Sequence, residues 1–375
     1  MPVDLVIPAY NEAAVLPSLY ANLAAQVDGE GRPLPRGSWR VVVVDNASTD
    51  GTREVLERLG RDPRNPETVV LAEPEKGVVP ARIRGSDFVL RPAERQRFPL
   101  VVHADADNAF PPSFIHDVSR RLAAGDADVV TRLGFQGVGF WRRVPRVARR
   151  HYEEIGTLHF DDETLCALGF PEEGALFTRR IFADFQHVPH QCGLGMTKEV
   201  FARAGGYRRE RWPDGTELLG EARNLLYRLA RCGARLAWVA TPPIVLNPRR
   251  LLGEPQKLWA GRAYTEGMSD VRGADTATDD TWAALDRLAP ELEFGIMRRN
   301  LVQRFILDPC IARPERLEPN RRYFGGAFEE IRRAIADLHA SGRTELYIDV
   351  RPLSEALLDR HCETILAALA RIAGK

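Results

Sequence analysis

Residues 41–52 read VVVVDNASTDGT, four valines followed by an acid and a cluster of turn-forming residues. A continuous β-branched run of this kind is typical of a strand covered on both faces, as in a parallel sheet. The acid and the small residues behind it would lie at the carboxyl end of that strand, where open parallel sheets bind ligands. The stretch therefore predicts an α/β fold with Asp45 at the ligand-binding edge of its sheet.

Short apolar runs alternate with amphipathic segments through the first third of the chain, which predicts strand-helix-strand units. The predicted strands are Val3–Pro8, Arg40–Asp45, Thr68–Ala72, Leu100–Ala104 and Ala127–Arg132. The predicted helices are Glu12–Gln26, Gly51–Leu59, Val78–Leu90 and Pro111–Ala123. Asp50 is the expected cap of the second helix, and the prolines at 111 and 112 are expected to begin the fourth, where a missing N–H costs little.

The pattern is less regular after about residue 133. Glu217–Cys232 is predicted to be a helix, and Ala234–Ala240 the strand that follows it. From about Leu251 the chain is predicted to be helical, with amphipathic segments at Glu291–Leu307, Arg322–His339 and Ser354–Ile372. We therefore predict a domain over 1–250 and a helical C-terminal extension over 251–375.

The charge balance narrows the function classes. Of 375 residues, 52 are Lys or Arg and 52 are Asp or Glu, so the formal net charge is zero. That balance argues against nucleic-acid binding through a broad basic face. The sequence begins without a signal-peptide pattern, contains no apolar run of about 20 residues, and scatters its five cysteines. We therefore expect a soluble, cytoplasmic protein that does not bind nucleic acid.

Acidic motifs follow three of the predicted strands. They read PAYNE at 8–12, DNASTDGT at 45–52 and DADN at 105–108. In an extended backbone alternate residues share a side, so Asp105 and Asp107 can converge. Paired carboxylates suit Mg²⁺ or Mn²⁺, and such ions are commonly shared with a substrate diphosphate.

Together and in this order, the three motifs resemble the nucleotide-sugar-binding half of family 2 glycosyltransferases, which have the GT-A fold. Residues 76–85, KGVVPARIRG, are similar to the family's Lys-Gly…Ala-Arg-Asn…Gly stretch, with Ile83 where Asn is usual. Residues 196–207, MTKEVFARAGGY, resemble its acceptor-side Arg-x-x-Phe…Gly-Gly-Phe. The resemblance covers about residues 1–250.

This resemblance implies a transferase that moves a sugar from a nucleotide sugar, most often a UDP-sugar, to a hydroxyl group with the help of Mg²⁺ or Mn²⁺. Asp45 would accept a hydrogen bond from the base, Asp107 would ligate the metal with Asp105 facing the ribose or the ion, and the metal would stabilise the leaving diphosphate. The other donor-binding residues that it implies are Pro8, Tyr10, Glu12, Lys76, Arg82, Arg249 and Arg250. Because the Gln-x-x-Arg-Trp motif of polysaccharide synthases is missing, we expect non-processive transfer.

The acceptor half departs from the family pattern. Inverting members carry a Glu-Asp pair whose Asp is the general base, and here that position is Ala222. Glu221 or Glu217 could replace it, since the two would lie one turn apart on a helix face; we favour Glu221. The enzyme could instead retain the configuration of the anomeric carbon and resemble the glucosyl- and mannosyl-glycerate synthases, which are retaining transferases. The alternative from another functional class is a protein that binds a nucleotide sugar without catalysing transfer.

The sequence points only broadly to partners. We expect a small-molecule or lipid-linked acceptor, because no motif marks a protein-binding groove. The basic segment 141–150, WRRVPRVARR, could contact a membrane surface or an anionic acceptor, although Pro145 interrupts a helix and predicts a loop. The helical C-terminal region could also form a homodimer.

Overall fold

A computed structural model of the chain describes residues 1–131, 134–155, 160, 162–171, 193–218, 220–239, 242, 244–260 and 277–372. The chain folds as two compact units, one made of Met1–Gly134 with His190–Leu246 and the other of Phe135–Pro189 with Asn247–Lys375. The first unit thus takes its strands from two separate stretches of sequence. The predicted domain boundary at residue 250 stays a prediction, and residues 135–189 belong with the C-terminal part.

The strands of the described chain are short and mostly buried. In chain order they are β1 Val3–Ala9, β2 Trp39–Asp45, β3 Glu67–Ala72, β4 Leu100–His103, β5 Val129–Thr131, β6 Gly134–Phe135, β7 Leu194–Thr197, β8 Leu236–Trp238 and β9 Ile244–Val245. Each strand predicted in the first third therefore exists, with ends displaced by one or two residues. Arg132 and Ala240, the predicted ends of two strands, lie outside the described residues.

The helices of the first unit alternate with these strands. They are α1 Leu16–Ala24, α2 Thr52–Arg61, α3 Val78–Val89, α4 Pro92–Arg97 and α5 Phe114–Ala123. The helices that follow are α6 Val138–Arg143, α7 Pro145–Ile155, α8 Asp162–Leu168, α9 Lys198–Arg203, α10 Glu221–Arg231, α11 Arg249–Gly253, α12 Pro255–Trp259, α13 Asp279–Arg287, α14 Gly295–Val302, α15 Asp308–Ala312, α16 Phe328–Ala340 and α17 Tyr347–Ile372.

Three predicted helix starts in the first third are wrong, and α1 begins four residues later than predicted. Gly51, with φ of 84°, is the N-terminal cap of α2 in place of Asp50, because glycine adopts the left-handed conformation at little cost. Asp50 instead accepts hydrogen bonds from the backbone N–H and the hydroxyl of Thr52. The fourth predicted helix begins at Phe114, three residues after Pro111. The chain therefore turns before this helix, as local hydrogen bonding competes with helix formation.

The first unit contains a seven-stranded sheet in the order β3-β2-β1-β4-β7-β5-β8. Neighbouring strands from β3 to β4 are parallel, β7 is antiparallel to β4 and β5, and β8 is parallel to β5. The chain crosses from β3 at one edge to β4 on the far side of β1. Strand order therefore reverses at β1, and such switch points form ligand-binding crevices at the carboxyl ends of the strands.

Both faces of this sheet are covered, which explains the continuous valine run. Leu5 and Val43 pack in a core with apolar residues of α1, α2 and α5. Val6 and Val42, one residue along each strand, pack in a second core with α3, α9 and α10. At Gly85 of α3 a Cβ atom would lie 2.7 Å from Val6 Cγ1, so glycine allows α3 to approach the sheet closely.

A buried charge cluster lies at the amino ends of the strands, opposite the candidate site. Asp4 is completely buried and its Oδ1 lies 2.6 Å from Arg40 Nε. Its other oxygen pairs with the ammonium group of Lys198, which is 1% exposed. Burial lowers the pKa of Lys198, and the Asp4 carboxylate opposes this shift. The three charges join β1, β2 and the start of α9.

The second unit is helical and has an aromatic core. His151 of α7 is buried and its Nδ1 lies 3.0 Å from Trp259 Nε1. The loop predicted around Pro145 is wrong: α6 ends at Arg143 and α7 begins at Pro145, because the first turn of a helix does not need the missing N–H. Among the described residues no helix has the length and apolar character needed to cross a bilayer.

Candidate functional site

The carboxyl ends of β1, β2 and β4 meet at one edge of the sheet. Ala9, the last residue of β1, is the register partner of Asp45, the last residue of β2. On the other side of β1, β4 ends at His103 and leads into Ala104 and Asp105. The edge therefore brings together the three motifs singled out in the sequence, and it does so at the switch point of the fold.

The loops after β1 and β2 are tied to each other by hydrogen bonds. The backbone N–H of Asn11 donates to Ser48 Oγ at 3.1 Å, and that of Glu12 donates to Thr52 Oγ1 at 2.8 Å. Asp50 Oδ2 accepts from the N–H of Ala13 at 3.2 Å. These contacts explain why the polar residues of both motifs occur together, and they hold the loop that carries Tyr10 in place.

Asp45 places an unsatisfied acceptor at this edge. The residue is 8% exposed, and its Oδ1 atom is buried without a hydrogen bond from any described residue. A buried carboxylate oxygen without a donor is costly, and the cost is removed when a ligand N–H or O–H donates to it. Asp45 is thus ready to accept a hydrogen bond from a ligand.

Asn46, which the sequence interpretation passed over, forms three hydrogen bonds through its side chain at this edge. It is 3% exposed, and its Nδ2 atom donates to the carbonyl groups of Glu73 at 3.3 Å and Glu75 at 2.5 Å. Its Oδ1 atom accepts from the N–H of Gly77 at 2.7 Å. The only sequence signal for this role was its place directly after the strand acid.

Lys76 and Tyr10 meet at the site. The Lys76 ammonium lies 4.4 Å from the centroid of the Tyr10 ring, in cation–π contact. Lys76 is exposed and Tyr10 is half-buried. The structure therefore places one predicted residue of the first motif, Tyr10, against Lys76, and Pro8 and Glu12 lie two residues to either side of it in sequence.

Arg82 of α3 is bonded to the loop that follows β4. Its side chain is completely buried, with Nη1 donating to the Ala104 carbonyl at 3.0 Å and Nη2 lying 2.6 Å from Asp105 Oδ1. Asp105 is 42% exposed despite this ion pair. The arginine therefore orients the Asp105 carboxylate. The contact of Arg82 with a donor stays a prediction.

A buried histidine lies beneath this loop. His103 is completely buried, and its ring lies 4.9 Å from that of Tyr207 and 5.0 Å from that of Phe201. Burial, reinforced by the nearby charges of Arg82 and Lys198, holds the pKa of His103 well below its ordinary value. The ring is therefore neutral at physiological pH and acts as part of the packing.

The Asp105-x-Asp107 pair fits a divalent cation. Both acids are half-buried while Ala106 and Asn108 are buried, so the two carboxylates lie on the more open side of the loop. No group of three or more His, Cys, Asp or Glu side chains suited to a metal occurs in the described part of the chain. Two carboxylates suit an ion that takes its other ligands from water and substrate phosphates, as Mg²⁺ does.

The acceptor-side helix α10 begins at Glu221. Gly220 precedes it with φ of 106°, a conformation that favours glycine. Glu217 lies before this break, and its Oε2 is 3.2 Å from Arg209 Nε. The prediction that Glu217 and Glu221 share a helix face is wrong, because the left-handed residue at 220 ends the helical path between them.

A buried arginine fixes the helix that carries the base candidate Glu221. Arg228 of α10 is 5% exposed and its Nη1 donates to the carbonyl oxygen of Gly206 at 2.7 Å. The contact explains the Gly205-Gly206 turn, whose two residues both have positive φ. Glu221 itself is half-buried and forms no ion pair with the described residues, whereas Glu217 is paired.

The remaining predicted donor contacts belong to the second unit. Arg249 and Arg250 begin α11, and the backbone N–H of Arg249 donates to Asn247 Oδ1 at 2.9 Å. The side chain of Arg250 lies outside the described residues. Contact of the two arginines with a donor stays a prediction.

The sheet order, its antiparallel β7 beside β4, and the acids at the carboxyl ends of β2 and β4 define a GT-A type α/β protein, here with a helical C-terminal region. The chain belongs to glycosyl transferase family 2, whose family model matches residues 4–193. The resemblance inferred from the motifs is therefore confirmed at the level of the family.

Several known proteins are similar to parts of the chain. Succinoglycan biosynthesis protein ExoA of Rhizobium meliloti is 27% identical over 254 residues, which are 66% of this chain and 64% of that protein. The undecaprenyl-phosphate 4-deoxy-4-formamido-L-arabinose transferase of Pseudomonas paraeruginosa is 31% identical over 152 residues, 38% of this chain and 40% of that protein. The chain thus spans less than two thirds of each relative.

A solved structure is similar over a longer stretch but more weakly. Mannosyltransferase PcManGT from Pyrobaculum calidifontis, in complex with GDP-Man and Mn²⁺, is 18% identical, with coverage of 98% of this chain and 85% of that one. The TM-score is 0.42, which is too low to transfer any feature of its site.

Proposed function

We propose that this family 2 protein is a glycosyltransferase that moves a sugar from a UDP-sugar to a hydroxyl group of a small-molecule or lipid-linked acceptor, without processive elongation. The observation that carries the donor assignment is the buried, unsatisfied Oδ1 of Asp45 at the switch point. Uracil offers an N–H donor on its edge, and a base that donates to Asp45 regains the hydrogen bond that the carboxylate lost on burial.

Other predicted residues of the site would contact the ribose and the diphosphate of the donor. Pro8, Tyr10 and Glu12 frame the base and ribose, and the exposed Lys76 ammonium is available to phosphate oxygens. Asp105 and Asp107 would hold a divalent cation together with the diphosphate. When bound, Mg²⁺ or Mn²⁺ would neutralise the charge that develops on the leaving nucleotide. Arg82 keeps Asp105 oriented for this contact.

In the proposed transfer, the bond between the anomeric carbon and the diphosphate oxygen breaks, and a bond to the acceptor oxygen forms. The Glu221 carboxylate takes the proton of the acceptor hydroxyl, and the nucleoside diphosphate leaves with the bonding electron pair. Support for Glu221 comes from its place in the first turn of α10 and from its freedom from ion pairs with described residues, unlike Glu217.

The acceptor proposal rests on two separate observations. One relative is named for transfer to undecaprenyl phosphate, a lipid carrier, which supports a lipid-linked acceptor here. In the second unit Arg142, Arg143, Arg146 and Arg149 are all exposed. A cluster of exposed arginines is attracted to anionic lipid headgroups, which supports peripheral membrane contact. A homodimer through the C-terminal helices stays a prediction.

Asp45→Asn should weaken UDP binding by about tenfold to a hundredfold, because a hydrogen bond to a charged group is lost or weakened. Calorimetric titration of UDP in the presence of Mn²⁺ measures the change. Asp62→Asn is the matched control: Asp62 pairs with the exposed Arg64 in the loop that precedes β3. Equal UDP affinity in the Asp45 variant and the wild type would contradict the proposed base contact.

Asp107→Ala should abolish the gain in UDP affinity that Mn²⁺ produces in the wild type, because one of the two carboxylate ligands is removed. Electron paramagnetic resonance of Mn²⁺ in the presence of UDP counts the bound ion directly. Asp87→Ala, an exposed acid on α3, should leave this binding intact. If chelation and Asp107→Ala both leave UDP affinity unchanged, the metal proposal is wrong.

A further inference from the structure

The segment Glu73–Gly77, which we call the strap, joins β3 to α3 across the edge of the site. One side chain, Asn46, forms three hydrogen bonds with its backbone. Asn46 donates to the carbonyl groups of Glu73 and Glu75 and accepts from the N–H of Gly77. A second anchor, outside the β2 loop, is the ion pair of Glu75 with Arg209 at 2.7 Å.

In the strap, Lys76 lies between the Glu75 carbonyl and the Gly77 N–H, which form the two shortest hydrogen bonds with Asn46. Lys76 is exposed, and the contact that the structure describes for its ammonium is with the face of Tyr10. A flexible side chain with one weak partner takes its position from its backbone. The place of this cation over Tyr10 therefore depends on the hydrogen bonds that Asn46 makes with the strap.

We propose that Asn46 is a positioning residue of the donor site: its carboxamide sets the strap backbone and thereby places the Lys76 ammonium over Tyr10, where it meets the diphosphate of a nucleoside diphosphate. This inference rests on the proposed function. It goes beyond that function by assigning a role to Asn46, which the proposed function leaves without one.

The geometry requires an amide at this position. Asn46 uses two N–H donors and one oxygen acceptor, and its surroundings are two carbonyl oxygens and one N–H. A carboxylate would keep the acceptor but would face the carbonyl oxygens of Glu73 and Glu75 with no donor. Asn46→Asp, although nearly identical in shape, should therefore displace the strap.

The matched control is Asn65→Asp. Asn65 lies in the same β2–β3 connection and its Nδ2 also donates to a carbonyl group, that of Leu59 at 2.9 Å, but it precedes β3 instead of following it. Both substitutions thus replace one amide by one carboxylate and remove donated hydrogen bonds. A general loss of stability would affect both variants, whereas the proposed role is specific to Asn46.

Asn46→Asp should raise the Kd for UDP with Mn²⁺ by about tenfold, a change worth 1.4 kcal/mol, while Asn65→Asp should leave it unchanged. In a Lys76→Met background Asn46→Asp should add less than about twofold, because residues that act through one another are not additive. Hydrogen exchange of the backbone amides of the strap should accelerate in Asn46→Asp alone. Thermal melting shows whether each variant is folded.

Three results would overturn the proposal: unchanged UDP affinity in Asn46→Asp, an undiminished effect in the Lys76→Met background, or equal losses in the Asn65 control. Hydrogen exchange needs no nucleotide, so it tests the hydrogen bonds between Asn46 and the strap separately from UDP binding. If the wild type binds no UDP, the proposed donor is wrong whatever the exchange shows. If UDP binds normally and strap exchange is unchanged in Asn46→Asp, only the positioning role fails.

Discussion

Glu221→Gln should lower the transfer rate by about 10²–10⁴-fold, the usual contribution of a positioned general base, and should leave UDP affinity unchanged. The substitution keeps the shape of the side chain and removes only its capacity to take a proton. Glu221 is half-buried in the first turn of α10, and its helix is held by Arg228 against the Gly205-Gly206 turn. A change in rate without a change in binding would separate catalysis from folding.

The rate is measured on the donor that a hydrolysis screen of nucleotide sugars identifies, and NMR of the released sugar reports its anomer. Glu217→Gln is the control, since this acid lies four residues earlier in sequence but is paired with Arg209. We expect its rate to stay close to that of the wild type. An unchanged rate in Glu221→Gln together with a retained anomer would favour the retaining mechanism, and no turnover of any donor would favour a silent binding protein.

Asp4→Asn should lower the free energy of unfolding by about 3–5 kcal/mol, because removal of one partner leaves buried charges without compensation. Arg40 is 2% exposed and Lys198 is 1% exposed, and Asp4 is the acid that both contact. Glu94 also pairs with Arg40 but is 22% exposed, so solvent weakens that contact. The effect should appear in urea titration monitored by circular dichroism.

Glu67→Gln is a matched control for this prediction. Glu67 lies in the same sheet, on β3, and pairs with the exposed Arg97 at 2.8 Å. An exposed pair of this kind contributes less than about 1 kcal/mol, so the control should unfold close to the wild-type midpoint. If Asp4→Asn unfolded like the control, the buried cluster would have no large role in stability.

Local patterns predicted most of the first unit. The β-branched strands and the amphipathic α3 need no distant contact to be recognised, since their periodicity reflects burial on one or two faces. The helix α10 was predicted to begin four residues too early, because Gly220 resembles any other helix residue until its left-handed backbone is seen. The segment around Pro145 was predicted as a loop because proline excludes a helix interior, whereas here it begins α7.

The candidate site was predicted in part. Asp45 ends β2, and Asp105 and Asp107 lie in the loop that follows β4, so their common edge followed from the prediction of parallel strands. The bonding of Asn46 to Glu75 and Gly77 did not follow, because these residues are about 30 positions apart in sequence and meet only when β2 and β3 pair. The burial of Arg82 beneath Asp105 depends equally on the packing of α3 against β1.

The sequence by itself determined the fold class, the family and the place of acids at the carboxyl ends of strands, because hydrophobic periodicity and short motifs are local signals that do not depend on contacts between distant segments. The tertiary structure decided which of these acids are free to act. Glu217 is held by Arg209, Asp105 is oriented by a buried arginine, and the Oδ1 of Asp45 is buried without a donor among the described residues. Such differences arise from contacts between distant segments, which set the burial and hydrogen bonding of each carboxylate.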